Sequence, residues 1–445
     1  MTAVASPPSP DTVDHRRGPG AVGGAYLTEL QKLRAQLAVR LVALLAVLGP
    51  FAFAALLKVQ SGTPSDALFG AWVHSSGYAI SLVTLGFAGS WGVPIIAGAV
   101  AGDLFASEDR FSTWKTVLTR SCTREDVFVG KVLAAGTVVG VLAVALAISS
   151  LVAGLVFVGL HSLVNLNGAL TSSGRLLALT LVSWLYCLLP VFAYMCVAIL
   201  ISVTTRNGIL GVLGPLVLAL VTQLLDLIGR GVIVHTILIG SGFDGWHGLF
   251  LTHPFFGPLV VSAGVCLAWI VVCLTLSWRT LRRRDFVAAT GGPNWTTPVR
   301  AVGVTIVVIA ILALCSSLGP VSVNGSRVAG SVGATFNNVT LLQQALIGRY
   351  APPSAKLKVL PNCNKRGAAP GGPGDYLCNL YVYLPQPKSV PFQQTNVEYD
   401  VSVQYNGCWK ASSPPAFVGG QTMADAKGRQ VTNPLFVVYG CFNVF

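Results

Sequence analysis

The sequence predicts an all-α polytopic membrane protein of six spans plus a seventh, followed by a small β-rich extracytoplasmic domain. Three observations predict it. Of 445 residues, 53% are hydrophobic and only 10% charged, with a mean hydropathy of +0.68; a soluble domain carries about a quarter charged residues. Apolar runs of roughly the twenty residues that a bilayer requires recur as far as position 320. Beyond that position the pattern changes to short alternating stretches punctuated by Pro, Gly and Asn.

Residues 1–24 are rich in Pro, Gly and Ser and are expected to be a disordered tail. They do not read as a cleavable leader, because the first apolar run is long and starts only near Ala38. Over 25–37, Leu27, Leu30, Leu33 and Leu37 recur at three-to-four spacing, with Glu29, Lys32, Arg34 and Gln36 on other faces. That pattern predicts an amphipathic interfacial helix or a cytoplasmic extension of the first span. Spans are predicted at 38–58, 78–102, 132–160, 176–204, 208–228 and 257–278, with the seventh at 301–320 after a cytoplasmic linker, 281–300. The short break Thr204–Gly208 separates the fourth and fifth. Between the fifth and sixth, 229–257 holds two apolar pieces too short to span, split at Gly240-Ser-Gly242, which suits an outer re-entrant hairpin.

Basic residues orient the bundle. Arg16, Arg17, Lys32, Arg34 and Arg40, then Arg110, Lys115, Arg120, Arg124 and Lys131, then Arg206 and Arg279 to Arg284 fall on one side, against Lys58, Arg175 and Arg230 on the other. The positive-inside bias puts the N-terminus in the cytoplasm and 321–445 outside. The net charge of +13 is accounted for in this way. Nucleic-acid binding is not expected, because no basic stretch alternates with aromatic residues; the expected surroundings are membrane lipid.

Within 321–445, alternating stretches near Leu357, Leu377–Leu384, Val397–Gln404 and Leu435–Phe445 read as strands. Cys363, Cys378, Cys408 and Cys441 lie here, an even number that suggests disulfides outside the cell. Proximity favours Cys363–Cys378 and Cys408–Cys441.

The most informative stretch is a charged cluster between two apolar runs, from Asp103 through Glu108, Asp109, Arg110, Phe111, Thr113 and Trp114 to Lys131. So many charges must sit in water, which makes 103–131 a membrane-edge loop. It resembles the cytoplasmic coupling segment of ABC transporter permeases of the type-two (ABC-2 type) exporter class. That class shows an acidic residue, a Gly-Thr pair, a Leu, a Pro-x-x-Arg element and a Gly-Lys opening the next span. Glu108, Thr113, Leu118, Arg124, Gly130 and Lys131 fit in order and spacing; Ser112 replaces the usual Gly and Ser121 stands where Pro is common. The resemblance extends over about residues 25–280, leaving the seventh span and the outer domain beyond it.

The resemblance implies a permease subunit of an ATP-driven exporter. It would pair with an ABC ATPase and with a second permease copy, alike or homologous, and would bind no cofactor itself, ATP acting through the partner subunit. The residues suit that role. Phe111 and Trp114 offer aromatic anchors, Glu108, Arg120 and Arg124 offer register-setting charges, and Lys131 is expected to snorkel at the membrane edge. Gln223 and Asp226, late in the fifth span, are candidates for a substrate path or outer gate.

No phosphate-cradling G-x-x-x-x-G-K-[ST] loop, G-x-S-x-G elbow or C-x-x-C pair occurs, so the chain reads as a non-enzyme. Val418-Gly-Gly-Gln421 reads as a turn. Five histidines, His74, His161, His235, His247 and His253, fall near the outer face without metal-ligand spacing. The other class of function left open is a membrane-anchored sensing or binding protein that works through 321–445.

Overall fold

The computed structural model describes residues 21–60, 64, 67–114, 123–228, 237–284, 323–349, 357–367, 371–383 and 394–444, together with 300, 303, 307 and 311. Helix α1 (Ala21–Ala35) turns at Gln36, whose backbone is extended, into α2 (Leu37–Val59). The second span is not one uniform helix: α3 (Gly77–Phe87) passes through a π-helical turn, Ala88–Gly92, into α4 (Val93–Ala101). Then come the short α5 (Ala106–Arg110), α6 (Arg124–Phe157), α7 (Ser173–Thr205), α8 (Gly208–Ile228) and α9 (Gly257–Arg282). Among the described residues, five helical stretches are long and apolar enough to cross a membrane, and the apolar α8 joins them. The chain is thus a multi-pass membrane protein. The expected seventh span lies almost wholly outside the described residues; Gly303, Val307 and Ile311 within it are helical and exposed.

Two boundaries differ from the sequence expectation for physical reasons. Helix α1 already includes Ala21 to Gly24, so the expected tail is shorter at its C-terminal end. Helix α6 begins at Arg124, eight residues before the predicted span, because Thr123 and Asp126 cap it reciprocally. The Thr123 hydroxyl accepts from the Asp126 N–H at 3.2 Å, and the Asp126 carboxylate accepts from the Thr123 N–H at 3.0 Å. The end of the expected loop is therefore the first two turns of a helix.

Small residues let the helices approach. Gly77 of α3 and Gly154 of α6 lie backbone to backbone, and Gly98 of α4 and Gly102 just after it lie against Gly211 and Val212 of α8. Such contacts substitute for a hydrophobic driving force in lipid.

At the bundle end where α9 starts, the described part of the connection, 237–256, includes two buried single turns, Ile239–Phe243 and His247–Phe250; residues 229–236, where the first half of the expected hairpin begins, lie outside the described set. Onto this end packs the C-terminal domain. Its sheet is antiparallel, ordered β3 (Lys358–Lys365), β4 (Gly374–Tyr383), β5 (Gln394–Val403), β6 (Cys408–Ser412) and β9 (Val437–Cys441), with the small β7 (Thr422–Ala424) and β8 (Gln430–Thr432) paired separately. Another pair, β1 (Leu163–Val164) and β2 (Leu170–Thr171), joins α6 to α7.

One face of the large sheet is covered by a helix that the strand pattern does not announce, α10 (Gly325–Leu346), capped by Asn324. Val328, Val332, Phe336 and Val339 form its buried stripe against Cys378, Leu380, Tyr399 and Val401. Cys363–Cys378 and Cys408–Cys441 are disulfide-bonded, the pairing proximity favours, each joining residues directly opposite in neighbouring strands. Gly419, with φ +84°, ends a short helical turn at Val418, consistent with Val418–Gln421 being a turn.

Hydrogen bonds seat the domain on the bundle. Tyr439 accepts from the Ala71 N–H at 3.2 Å, and Asn338 donates to the Asn167 carbonyl at 2.7 Å. Helix α9 starts at this end and finishes at Arg282 at the other.

Candidate functional site: a charged segment anchored by a buried ion cluster

The segment after α4 is built as a compact cap on the end of the bundle. Its backbone docks on α7, where the Ser202 hydroxyl accepts from the N–H groups of Phe105 and Ala106 at 3.3 and 3.1 Å. Helix α5 then stops in two hydrogen bonds, Thr113 N–H to Glu108 O at 3.0 Å and Ser112 N–H to Asp109 O at 3.2 Å. This is a helix stop that needs a left-handed residue between its two bonds, and Ser112 supplies it at φ +52°. A Gly at that position adopts the conformation without a Cβ penalty, which gives a physical reason for the Gly-Thr pair in the resembled class and for the departure here being tolerated but strained.

Beneath the segment four charges converge. Lys131 of α6 is fully buried, its Nζ 2.9 Å from Glu29 Oε2, 3.1 Å from Glu108 Oε1 and 3.0 Å from the Leu104 carbonyl. Lys32 bridges the same two carboxylates, 2.8 Å from each. The hydroxyl of Thr113 donates to Glu108 Oε2. The Phe105 ring lies under the Lys131 ammonium, 5.6 Å away. Each buried charge is thus paired and hydrogen-bonded, the condition under which burial is tolerated. Burial pushes the Glu108 carboxyl up, but Lys131, Lys32 and Thr113 outweigh it and hold it at about 2. Burial lowers Lys32, and its two glutamates more than reverse this, raising it above its ordinary value.

Gly130 makes the cluster possible. A Cβ there would lie 2.7 Å from the Ala25 Cβ, so only Gly lets α1 lie close enough to α6 for Glu29 to reach Lys131. The Gly-Lys pair therefore works as a unit: one residue admits α1 and the next clamps it.

Several expectations are corrected. Lys131 does not snorkel; its amine is turned inward. Glu29 is not on a polar face of α1 but on the buried one with Leu33, while Leu27 and Leu37 are exposed. The reversal follows from the two lysines that neutralise it. Trp114 is buried, its Nε1 donating to Asp109 at 2.9 Å and its ring against Phe105, so it is not an exposed anchor. Asp109 also pairs with Arg284 beyond α9. Arg124 is half-buried and donates to the carbonyls of Arg282 and Arg284 at 2.8 and 3.1 Å. Of the named residues that are described, Phe111 is the one that stands out, 67% exposed beside the exposed Arg110. Leu118 and Arg120 lie outside the described residues.

The structure separates the second set of candidates from this segment. Gln223 lines a cleft at the other end of the bundle; Asp226 belongs to α8, but its side chain lies outside the described set. His247, read as interfacial, is buried against Asn406 of the C-terminal domain, 3.2 Å away, and burial lowers its imidazole to about 3. Sequence reasoning missed the Glu29–Lys32 contribution. It also missed the capping pair Thr123/Asp126, although a Thr-x-x-Asp before an apolar run is a readable start signal.

Residues 26–226 match the family described as ABC-2 family transporter protein. No curated protein matches the chain.

Proposed function

With residues 26–226 identified as an ABC-2 family transporter domain, and the chain thereby a permease component of an ABC transporter, we propose that it drives export with ATP hydrolysed by a separate ABC ATPase seated on the 103–131 segment. Permeases of this family are generally non-enzymatic membrane components that work with an ABC ATPase and often dimerise. In this reading the chain pairs with a second copy or a homologous permease and holds no cofactor of its own. Its N-terminus is cytoplasmic and its C-terminal domain extracytoplasmic, because Lys32, Arg110, Arg124, Arg206 and Arg282 crowd the end that carries the segment.

One observation carries the reading: the tip Arg110–Phe111 is exposed on a segment whose base is clamped to α1 and α6 by the buried ion cluster. A push on such a tip moves helices instead of deforming a loop. Coupling by Glu108, Thr113 and Lys131 is then indirect, through the clamp, while Phe111 makes the contact and Arg124 ties the segment's far side to the end of α9.

Affinity purification from native membranes with mass spectrometry tests it. An ABC ATPase should accompany the protein in near-equal amount and fall about tenfold with Phe111→Ala. Recovery of an envelope protein bound through 321–445, with no ATPase, would replace this reading with the sensing one.

A further inference from the structure

The turn between β5 and β6 sits on the bundle, and one of its contacts has a fixed polarity. Asn406, on this turn, is 2% exposed. Its side-chain oxygen accepts from the Cys408 N–H at 2.9 Å, and its side-chain nitrogen donates to the Asp244 carbonyl at 3.3 Å. These two backbone groups decide which way the amide faces, since an N–H must meet the oxygen and a carbonyl must meet the nitrogen. The same nitrogen lies 3.2 Å from His247 Nδ1, with one hydrogen still to give. A donor on that side requires a lone pair on Nδ1, so the docked imidazole is the neutral ring with its proton on Nε2.

The turn leaves Asn406 no second orientation. Gln404 N–H donates to the Cys408 carbonyl at 2.7 Å, and Gly407 has φ +80° with the Phe442 carbonyl where a Cβ would be. The Cys408–Cys441 disulfide closes the base of the turn. Turning the amide over would sacrifice both backbone contacts. The His247 ring is 6% exposed and packs edge-on against Trp246, with centroids 4.3 Å apart. Its charged neighbour among the described residues is Asp244, whose Oδ1 is 3.9 Å from Nε2, beyond hydrogen-bond reach, while its Oδ2 accepts from the Tyr405 hydroxyl at 2.8 Å. Tyr186 of α7 approaches the adjoining Gly245, and α9 brings Pro258 and Ser262 to the same seam, all of them neutral. Burial outweighs the one carboxylate and lowers the docked imidazole to about 3.

We propose that His247 is an acid-sensitive latch between the bundle and the C-terminal domain: neutral, it accepts from Asn406 and holds the β5–β6 turn in place; protonated, it sets an N–H against the Asn406 N–H and releases the turn. The docked value lies below the ordinary 6.5 of an exposed His, so docking is at full strength above 6.5 and weakens about tenfold per pH unit as pH falls from there toward 3. Between pH 7.5 and pH 5 the loss is about thirtyfold. The latch lies within one chain and does not rest on the exporter reading, which adds only that the pH sensed is the one outside the cell.

Hydrogen exchange of the purified full-length protein in nanodiscs tests the latch, read by mass spectrometry and corrected for the intrinsic pH dependence of exchange. Protection of the peptide spanning Gln404 to Cys408 should fall about thirtyfold from pH 7.5 to pH 5, while β4 stays protected at both. His247→Gln presents an acceptor that does not titrate, and its protection should be the same at the two pH values. Asn406→Asp offers the imidazolium an oxygen, so its protection should rise as pH falls. Equal protection at both pH values in the parent protein overturns the latch. A fall shared by β4 is general acid unfolding and overturns it as well. So does a parent-like fall in His247→Gln, which assigns the effect to another group, or in Asn406→Asp, where the polarity is reversed.

Discussion

Replacing Lys131 by methionine keeps most of the side chain's volume and removes its charge. The four-residue cluster of Glu29, Lys32, Glu108 and Lys131 is neutral as it stands, so the change leaves it with one net negative charge and only the half-exposed Lys32 to serve both carboxylates. Two routes give the cost. Removing one partner of a buried ion pair destabilises by about 3–5 kcal/mol. Alternatively the cluster neutralises itself by taking up a proton; for a carboxyl of ordinary pKa at pH 7, at 1.36 kcal/mol per unit, that costs about 4 kcal/mol. The routes agree.

The buried thiols Cys187, Cys196, Cys266 and Cys273 make a thiol-reactive fluorophore a reporter of unfolding. At about 2 °C per kcal/mol for a large chain, Lys131→Met should lower the midpoint by roughly 6–10 °C. Adding Glu108→Gln restores neutrality and should return more than half of the loss, because residues in one network couple. A midpoint within about 1 °C of the parent, or a double variant no more stable than the single one, would refute the clamp.

Two further predictions follow from the same segment. Ser112→Gly should stabilise by about 1 kcal/mol, since the left-handed conformation costs an L residue roughly that much and Gly nothing; thermal unfolding reads it as a small rise in midpoint, and a fall would mean that the Ser112 side chain contributes more than its backbone strain costs. Glu108 is held at about 2, below its unfolded value, so its stabilisation is present above the unfolded pKa and is lost as pH falls through the folded one. The midpoint should therefore decline between about pH 5 and pH 2, and Glu108→Gln should flatten that decline; equal slopes in parent and variant would count against the assignment.

The sequence was legible where a rule acts locally. Long apolar runs announce the spans α2, α7, α8 and α9 within a few residues, and alternation announces β4 and β5. It was opaque where a residue's fate is decided by a distant partner. Nothing within a helical turn of Glu29 says that the side chain is buried; that depends on Lys131, about a hundred residues on, and on Gly130 admitting α1. Helix α10 hides for another reason: Gly330, Gly333 and Thr340 dilute its helical pattern, and only the spacing of Val328, Val332, Phe336 and Val339 with the Asn324 cap betrays it. Phe111 and Trp114 read alike in sequence and part in structure because only the indole N–H has a carboxylate, Asp109, to reach.

Helix α8 is one of the elements that link the two ends of the bundle. Helix α8 begins at Gly208, packed so closely on Asp103 of the charged segment that a Cβ would collide with the carboxylate, and it carries Thr222 and Gln223 into the cleft at the other end. At 1.5 Å per residue the distance from Gly208 to Gln223 is about 22 Å. Along it Gly211 and Val212 remain in backbone contact with α4, which leads directly into the segment. A displacement of the clamped segment therefore acts on α8 through contacts too close to absorb it by side-chain rearrangement. The interruption available to α8 is Pro215, which deprives one turn of its hydrogen bond and is where such a helix bends. Below Pro215 the helix packs against the segment and α4; above it, Thr222 packs against Gly240 of the connection at the opposite end.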